Sequence, residues 1–146
     1  MRFEGTFPVH ASRERVYAFF LDPQQISACI DDPHTIESID ADNFRGTVKT
    51  GVAFIRGTFT WSATIKERAP PERAQLAVHG TGMGSGFDVI ATLQISEAGG
   101  VSTCRWFADV QMSGTIATVG ARLLQGTTEK KTNAFFDNAR KLLERR

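Results

Sequence analysis

Tyrosine is almost missing from this sequence: one Tyr stands against eleven Phe and two Trp. Aromatic bulk without hydroxyls suits a greasy interior better than a polar recognition surface. Cysteine is scarce too, with only Cys29 and Cys104, far apart and outside any C-x-x-C pair or His cluster. That excludes a recognisable zinc or redox motif and makes a reduced, cytoplasmic protein the expectation. No run of apolar residues reaches the roughly 18–20 needed for a transmembrane helix. The first ten residues, which include Arg2 and Glu4, lack the apolar stretch of a signal peptide. Charge of one sign is not in excess: 17 Lys+Arg balance 16 Asp+Glu. With a pI of 7.8, a dedicated nucleic-acid binder, whose domain usually exceeds a pI of about 9, is not indicated.

What remains is the composition of an ordinary globular chain, 41% hydrophobic and 23% charged over 146 residues. A single domain over 1–146 is the natural expectation, long enough to bury a core without disulfide or metal. Arg2 to His10 alternates as a half-buried strand, with Phe3, Gly5, Phe7 and Val9 in one phase. Ser12 is a helix N-cap candidate ahead of Val16, Phe19 and Phe20, and this helix stops near Asp22-Pro23. A second short helix is predicted over Gln24 to Ile30. From His34 to Met112, turn signals at Asp40–Asn43, Arg56-Gly57, Ala69-Pro70-Pro71, Gly80–Gly86 and Ala98-Gly99-Gly100 divide about six alternating strands, the pattern of an antiparallel meander.

Each strand has one apolar phase. Phe59, Trp61, Ala63 and Ile65 share one face; Phe87, Val89, Ala91, Leu93 and Ile95 follow, then Cys104, Trp106, Ala108, Val110 and Met112. The cover for this face is expected from Thr115 to Arg145, which contains no Pro and repeats Ile116, Val119, Leu123, Phe135, Ala139, Leu142 and Leu143 at helical steps. As a continuous helix it would span on the order of 45 Å. Gly120 and Gly126 allow two readings: a helix break, or a face thinned at Ala117, Gly120, Ala121 and Gly126 that leaves space above the sheet.

Few groups invite chemistry. Gly80-Thr-Gly-Met-Gly-Ser-Gly86 does not fit G-x-G-x-x-G and precedes a strand, so it reads as a flexible hairpin able to rim a cavity. His10, His34 and His79 belong to no metal or catalytic motif. By phase, His79, Asp88, Arg105 and Asp109 point outward, and Glu67 at a strand end is the nearest titratable exception inside. General acid–base catalysis needs such a group within reach of its substrate, so the expectation is a non-enzyme with neither metal nor cofactor. The basic last turns, six Lys/Arg over Glu129 to Arg146, read as a solvated helix end; weak attraction to an anionic membrane is the alternative.

The order strand, two short helices, six-strand meander and long C-terminal helix resembles the α+β helix-grip fold of the START and birch-pollen-allergen-like (SRPBCC) superfamily. In that fold a curved seven-stranded antiparallel sheet wraps around the helix. Asp22-Pro-Gln-Gln-Ile-Ser-Ala-Cys-Ile30, Phe44-Arg-Gly-Thr-Val-Lys49, Gly51-Val-Ala-Phe-Ile55 and Ser113-Gly-Thr-Ile-Ala-Thr-Val-Gly-Ala-Arg122 resemble the CoxG family, named for the G component of carbon monoxide dehydrogenase. Where that family commonly has Pro-Gly after Cys-Ile, this chain has Asp31-Asp32. The resemblance implies an accessory role beside a molybdenum hydroxylase type of carbon monoxide dehydrogenase, recruiting it to the membrane and handling a quinone. Longer relatives carry a membrane-attaching extension, so for a chain ending at Arg146 the implication is at most peripheral membrane contact.

The expected site is an apolar cavity for a quinone or lipid. Its walls are predicted from Val52, Phe54, Phe59, Trp61, Leu76, Val78, Phe87, Val89, Trp106, Ala108 and Val110, with Ile116, Val119 and Leu123 from the helix. Two alternatives compete: a cyclase- or hydratase-like enzyme of the same superfamily, which needs an ionisable residue in the cavity, and a structural adaptor with a filled core.

Overall fold

Strand periodicity is realised almost throughout. The structure, a computed structural model, describes residues 1–52 and 54–145. Strand β1 (Arg2–Val9) leads into helices α1 (Arg13–Phe20) and α2 (Pro23–Ala28). Strands β2 (His34–Ser38), β3 (Asn43–Val52), β4 (Ile55–Ala69), β5 (Arg73–Gly82), β6 (Ser85–Ala98) and β7 (Val101–Gly114) then follow. A 3-10 turn (Thr115–Thr118) precedes helix α3 (Ala121–Leu143). Every pairing is antiparallel, and the seven strands lie in the order β1-β7-β6-β5-β4-β3-β2. This is the α+β helix-grip arrangement, a curved sheet holding the C-terminal helix.

Local chemistry sets the helix starts. Ser12 caps α1 by accepting from the Arg15 amide, and Asp22 caps α2 by accepting from the Gln24 amide, with Pro23 at the first turn. The second helix stops at Ala28, two residues short of the expected end. Gly120, at φ +103°, separates the 3-10 turn from α3. Of the two readings of the glycines, the break is therefore correct at Gly120, while Gly126 lies inside an uninterrupted helix. The thinned face is overturned: Ala117, Gly120, Ala121 and Gly126 are all exposed and turn away from the sheet. The buried stripe runs instead through Leu124, Ala139 and Leu143, with Phe135 and Phe136 half-buried between them.

Glycine serves the sheet in a different way. Gly5, Gly46 and Gly80 sit directly across from Trp106, Trp61 and Phe87, and each large ring lies over its glycine. A Cβ at Gly5 would stand 2.7 Å from Trp106 Nε1, and one at Gly46 would stand 2.9 Å from Trp61 Cζ2. Aromatic residues laid over bare backbone restore the packing glycine forfeits, and they let the sheet bend. The Gly80–Gly86 segment is accordingly not a loose loop. Strands continue to Gly82 and resume at Ser85, joined by a tight turn with positive φ at Met83 and Gly84.

Two apolar clusters divide the interior. One joins Val9, Val16, Tyr17, Phe19, Cys29, Ile95, Cys104, Ala139 and Leu143, tying α1 and the end of α3 to the sheet. The other joins Ile55, Phe59, Ile116 and Leu124, with Val48, Val52, Phe87, Met112 and Val119 packed against it. Cys29 and Cys104 are free and buried; burial pushes their thiols up to about 11 and about 12, so both remain protonated at neutral pH.

Candidate functional site: an apolar chamber behind an ion-paired mouth

On the inward face the strands register in rows. Ile65, Leu76, Ala91 and Ala108 form one row; Ala74, Leu93, Trp106 and Gly5 form the next. Above them lies a cavity of about 200 Å³. It is closed over by Phe20 and Leu21 after α1, Ile26 of α2, and Phe135 and Phe136 of α3, with Phe44 at its β3 side. Among the described residues that line it, Gln75 and Thr92 bring neutral polar side chains and none is titratable.

Of the predicted wall, Leu76 and Trp106 line this chamber. Val52, Phe59, Phe87, Ile116 and Val119 belong instead to the second packed cluster, because Phe87 folds over Gly80 and fills the space there. Trp61 packs edge-on against Phe44, 5.7 Å between ring centroids, over Gly46. Val78, Val89, Ala108 and Val110 keep the inward phase but lie outside the chamber's lining. Phe54 and Leu123 are corrections of another kind: they are 71% and 51% exposed, one in the β3–β4 turn and one on the outer side of α3. Phe20, Leu21, Ile26, Phe44, Ile65, Ala74, Leu93, Phe135 and Phe136 were not predicted as walls. The adjacent Phe135-Phe136 pair was the available signal, since one ring of such a pair must face the sheet.

A second, wider cavity of about 740 Å³ opens between the α2–β2 connection, β3 and α3. Trp106, Phe135 and Phe136 line both spaces, so these rings form the wall between chamber and mouth. Trp106 stacks on Phe136 at 5.2 Å, and Phe136 meets Phe7 at 4.7 Å and Phe20 at 5.9 Å.

The mouth, unlike the chamber, carries charge. Asp32 Oδ2 accepts from Thr50 Oγ1 at 2.7 Å and from Lys131 Nζ at 2.9 Å, linking the α2–β2 connection to β3 and α3. Asn138 Nδ2 donates to the Cys29 carbonyl and to Asp31 Oδ1, both at 3.0 Å, adding a second tie. The Thr50 hydroxyl, and after it Lys131, holds the Asp32 carboxyl below its ordinary range. Because the folded-state pKa is lowered, the tie is fully present above the ordinary carboxylate range and is lost as pH falls through the lowered value. The pair is partly exposed, so Asp32→Asn is expected to cost less than about 1 kcal/mol of stability. The same variant should exchange a bound hydrophobic probe faster than the parent at neutral pH and at an unchanged rate at pH below the transition; stopped-flow displacement checks both.

The outward groups stay outward. His79 Nδ1 lies 2.8 Å from Asp88 Oδ1 across β5 and β6 on the exposed face; Arg105 and Asp109 are also exposed. Glu67 follows a register shift in β4, is exposed, and pairs with Arg73 Nε at 3.0 Å.

Residues 5–144 of the chain match the CoxG family, the G component of carbon monoxide dehydrogenase. No curated protein matches in sequence. In structure it is similar to a conserved protein from Geobacillus kaustophilus at TM-score 0.90 and 20% identity, covering 98% of this chain and 95% of that one. A START superfamily protein from Mycobacterium smegmatis aligns at TM-score 0.75 and 12% identity over 98% and 97% of the two chains. Ara h 8.0201 aligns at TM-score 0.72 and 12% identity, also over 98% and 97%. These likenesses agree with the helix-grip topology, and the sequence match, spanning nearly the whole chain, goes further: this chain belongs to the CoxG family.

Proposed function

We propose that this domain is a non-catalytic carrier of a lipophilic molecule, quinone- or lipid-like, seated in the chamber beneath α1, α2 and α3. The observation that carries the reading is the lining itself: among the described residues it offers hydrocarbon and aromatic walls, the neutral polar side chains of Gln75 and Thr92, and no titratable group. Affinity there would come from apolar burial, about 25 cal/mol per Å², less the cost of ordering the ligand. Pockets for drug-sized ligands measure roughly 300–1,000 Å³. At about 200 Å³ the chamber suits one ring or a short chain, with the remainder of the molecule running past Trp106 and Phe136 into the mouth. Membership in the family supports a molybdenum hydroxylase of the carbon monoxide dehydrogenase type as the protein served.

Mass spectrometry of small molecules retained on the purified protein tests the reading, followed by thermal shift with short-chain quinones and fatty acids. A ligand at 100 times its Kd should add about 2.7 kcal/mol of stability. Protein that retains nothing and is not stabilised by any of the panel, yet copurifies with the hydroxylase, would replace the carrier with an adaptor.

A further inference from the structure

The chamber is neutral, but the way into it is not. Lys130 and Lys131 of α3 border the mouth on one side, and Asp31 and Asp32, ahead of β2, border it on the other. Beside it lies a hollow of about 460 Å³ that shares Asp32, Thr50 and Lys131 with the mouth and adds Lys49 and Arg56. Among the described residues, four cations and two carboxylates therefore border these adjoining spaces. Asp31 is engaged by Asn138 and Asp32 by Lys131. Lys49, Arg56 and Lys130 are exposed and have no ion-pair partner among the described residues. An entering molecule meets a surplus of positive charge before it meets hydrocarbon.

Asp32 marks the place where a negative charge is held. A single oxygen, Oδ2, accepts from both the Thr50 hydroxyl at 2.7 Å and the Lys131 ammonium at 2.9 Å. These donors come from β3 and α3, so two packed elements converge on one carboxylate oxygen. The carboxylate itself stands on the α2–β2 connection, outside any helix or strand. Lys131 and Asp32 are 42% and 37% exposed, so another anion can replace Asp32 without either charge crossing a dry interior.

Helix geometry joins this place to the chamber. Lys131 and Phe135 are four residues apart on α3, which sets them on one face within about one turn of 5.4 Å. Phe135 lines both mouth and chamber. A carboxylate seated on Lys131 brings its attached chain directly to the Phe135–Phe136 wall.

Resting on the carrier reading, we infer that the molecule carried is an amphiphile whose head is a carboxylate. Its apolar chain occupies the chamber, and its head displaces Asp32 from Lys131 Nζ and Thr50 Oγ1. Asp32 is then a stand-in for the head: it closes the empty mouth and yields to the ligand. The displaced side chain stays in the hollow bordered by Lys49 and Arg56, so its charge is not left without counter-ions. A neutral molecule of the same length offers Lys131 no such exchange and leaves the tie closed.

Calorimetric titration of the full chain with decanoate, 1-decanol and acetate tests it. The first pair isolates the head on one chain, and acetate isolates the head without a chain. Decanoate should bind about tenfold more tightly than 1-decanol, the scale of one charge-assisted hydrogen bond. Lys131→Gln should bring that ratio close to one, and Lys131→Arg should keep most of it. Asp32→Asn should raise the ratio about fivefold, because the competing carboxylate is gone. A tie that only braces the fold would leave the ratio where it was, and that result overturns the inference. A fall of the ratio in Asp32→Asn overturns it too, by making Asp32 a support of the head rather than its competitor. Equal affinity of the parent for decanoate and 1-decanol removes the head site but leaves the carrier reading standing. Acetate binding as tightly as decanoate overturns the amphiphile, since the chain then contributes nothing. Binding of none of the three counts against the carrier reading itself, and the inference falls with it.

Discussion

Leu143→Ala is expected to lower the unfolding free energy by about 3 kcal/mol, whereas Leu123→Ala should change it by less than about 0.5 kcal/mol. Both leucines lie on the same helix, and both belong to the hydrophobic repeat of the C-terminal segment. Leu143 is 1% exposed and packs in the cluster that joins α1, β6, β7 and the last turns of α3. Its surroundings are fixed from several sides. The His10 amide donates to Glu144 Oε2 at 3.0 Å, and Arg15 Nη2 donates to the Arg145 carbonyl at 3.3 Å. Neighbours held in this way cannot collapse into the vacated volume, so the cavity cost adds to the transfer cost. At roughly 3 °C per kcal/mol for a chain of this size, Leu143→Ala should melt about 9 °C lower. Denaturant titration should show a lowered midpoint with the slope preserved. Equal effects at the two positions would mean that α3 does not lie on the sheet as described.

The contrast between those two leucines also marks where sequence stops being a guide. Strand phase was legible because side chains alternate strictly: Phe59, Trp61, Leu76, Val78, Phe87, Val89, Trp106, Ala108 and Val110 all fall on the inward face. Helix phase was legible only within one helix. Counting on from Ile116 and Val119 as though the helix were unbroken favours Leu123; the left-handed turn at Gly120 resets the count and puts Leu124 inside. Which inward rows stay open was not legible at all. Phe87 closes its row because Gly80 lies opposite, while Ala91 and Ala108 stand side by side and leave theirs shallow. Reading that in advance requires the pairing register, a long-range property. The lid was hidden for the same reason, since Phe20, Ile26 and Phe136 reach the chamber from three helices.

Ala91→Phe should fill the chamber and abolish uptake of a lipophilic ligand while leaving the fold intact. Ala91 lies in the middle of β6, across from Leu76 on one side and Ala108 on the other, and its side chain forms part of the chamber floor. Phenylalanine is a good strand former, so the backbone should not object. The ring enters a space of about 200 Å³ that the native side chains leave empty, which keeps overpacking strain below the roughly 1–3 kcal/mol seen where no space exists. The ligand would lose that same volume. An approximately 100-fold fall in affinity, about 2.7 kcal/mol, is expected by isothermal titration with whichever quinone or lipid the native protein retains. Thermal stability of the unliganded variant should match or slightly exceed the parent, because apolar surface in the empty chamber gains contacts. The variant separates the competing readings cleanly. A carrier fails in ligand binding yet still meets its protein partner; an adaptor loses neither. If Ala91→Phe binds the ligand as tightly as the parent, the ligand does not sit beneath the three helices, and the charged mouth alone must hold it.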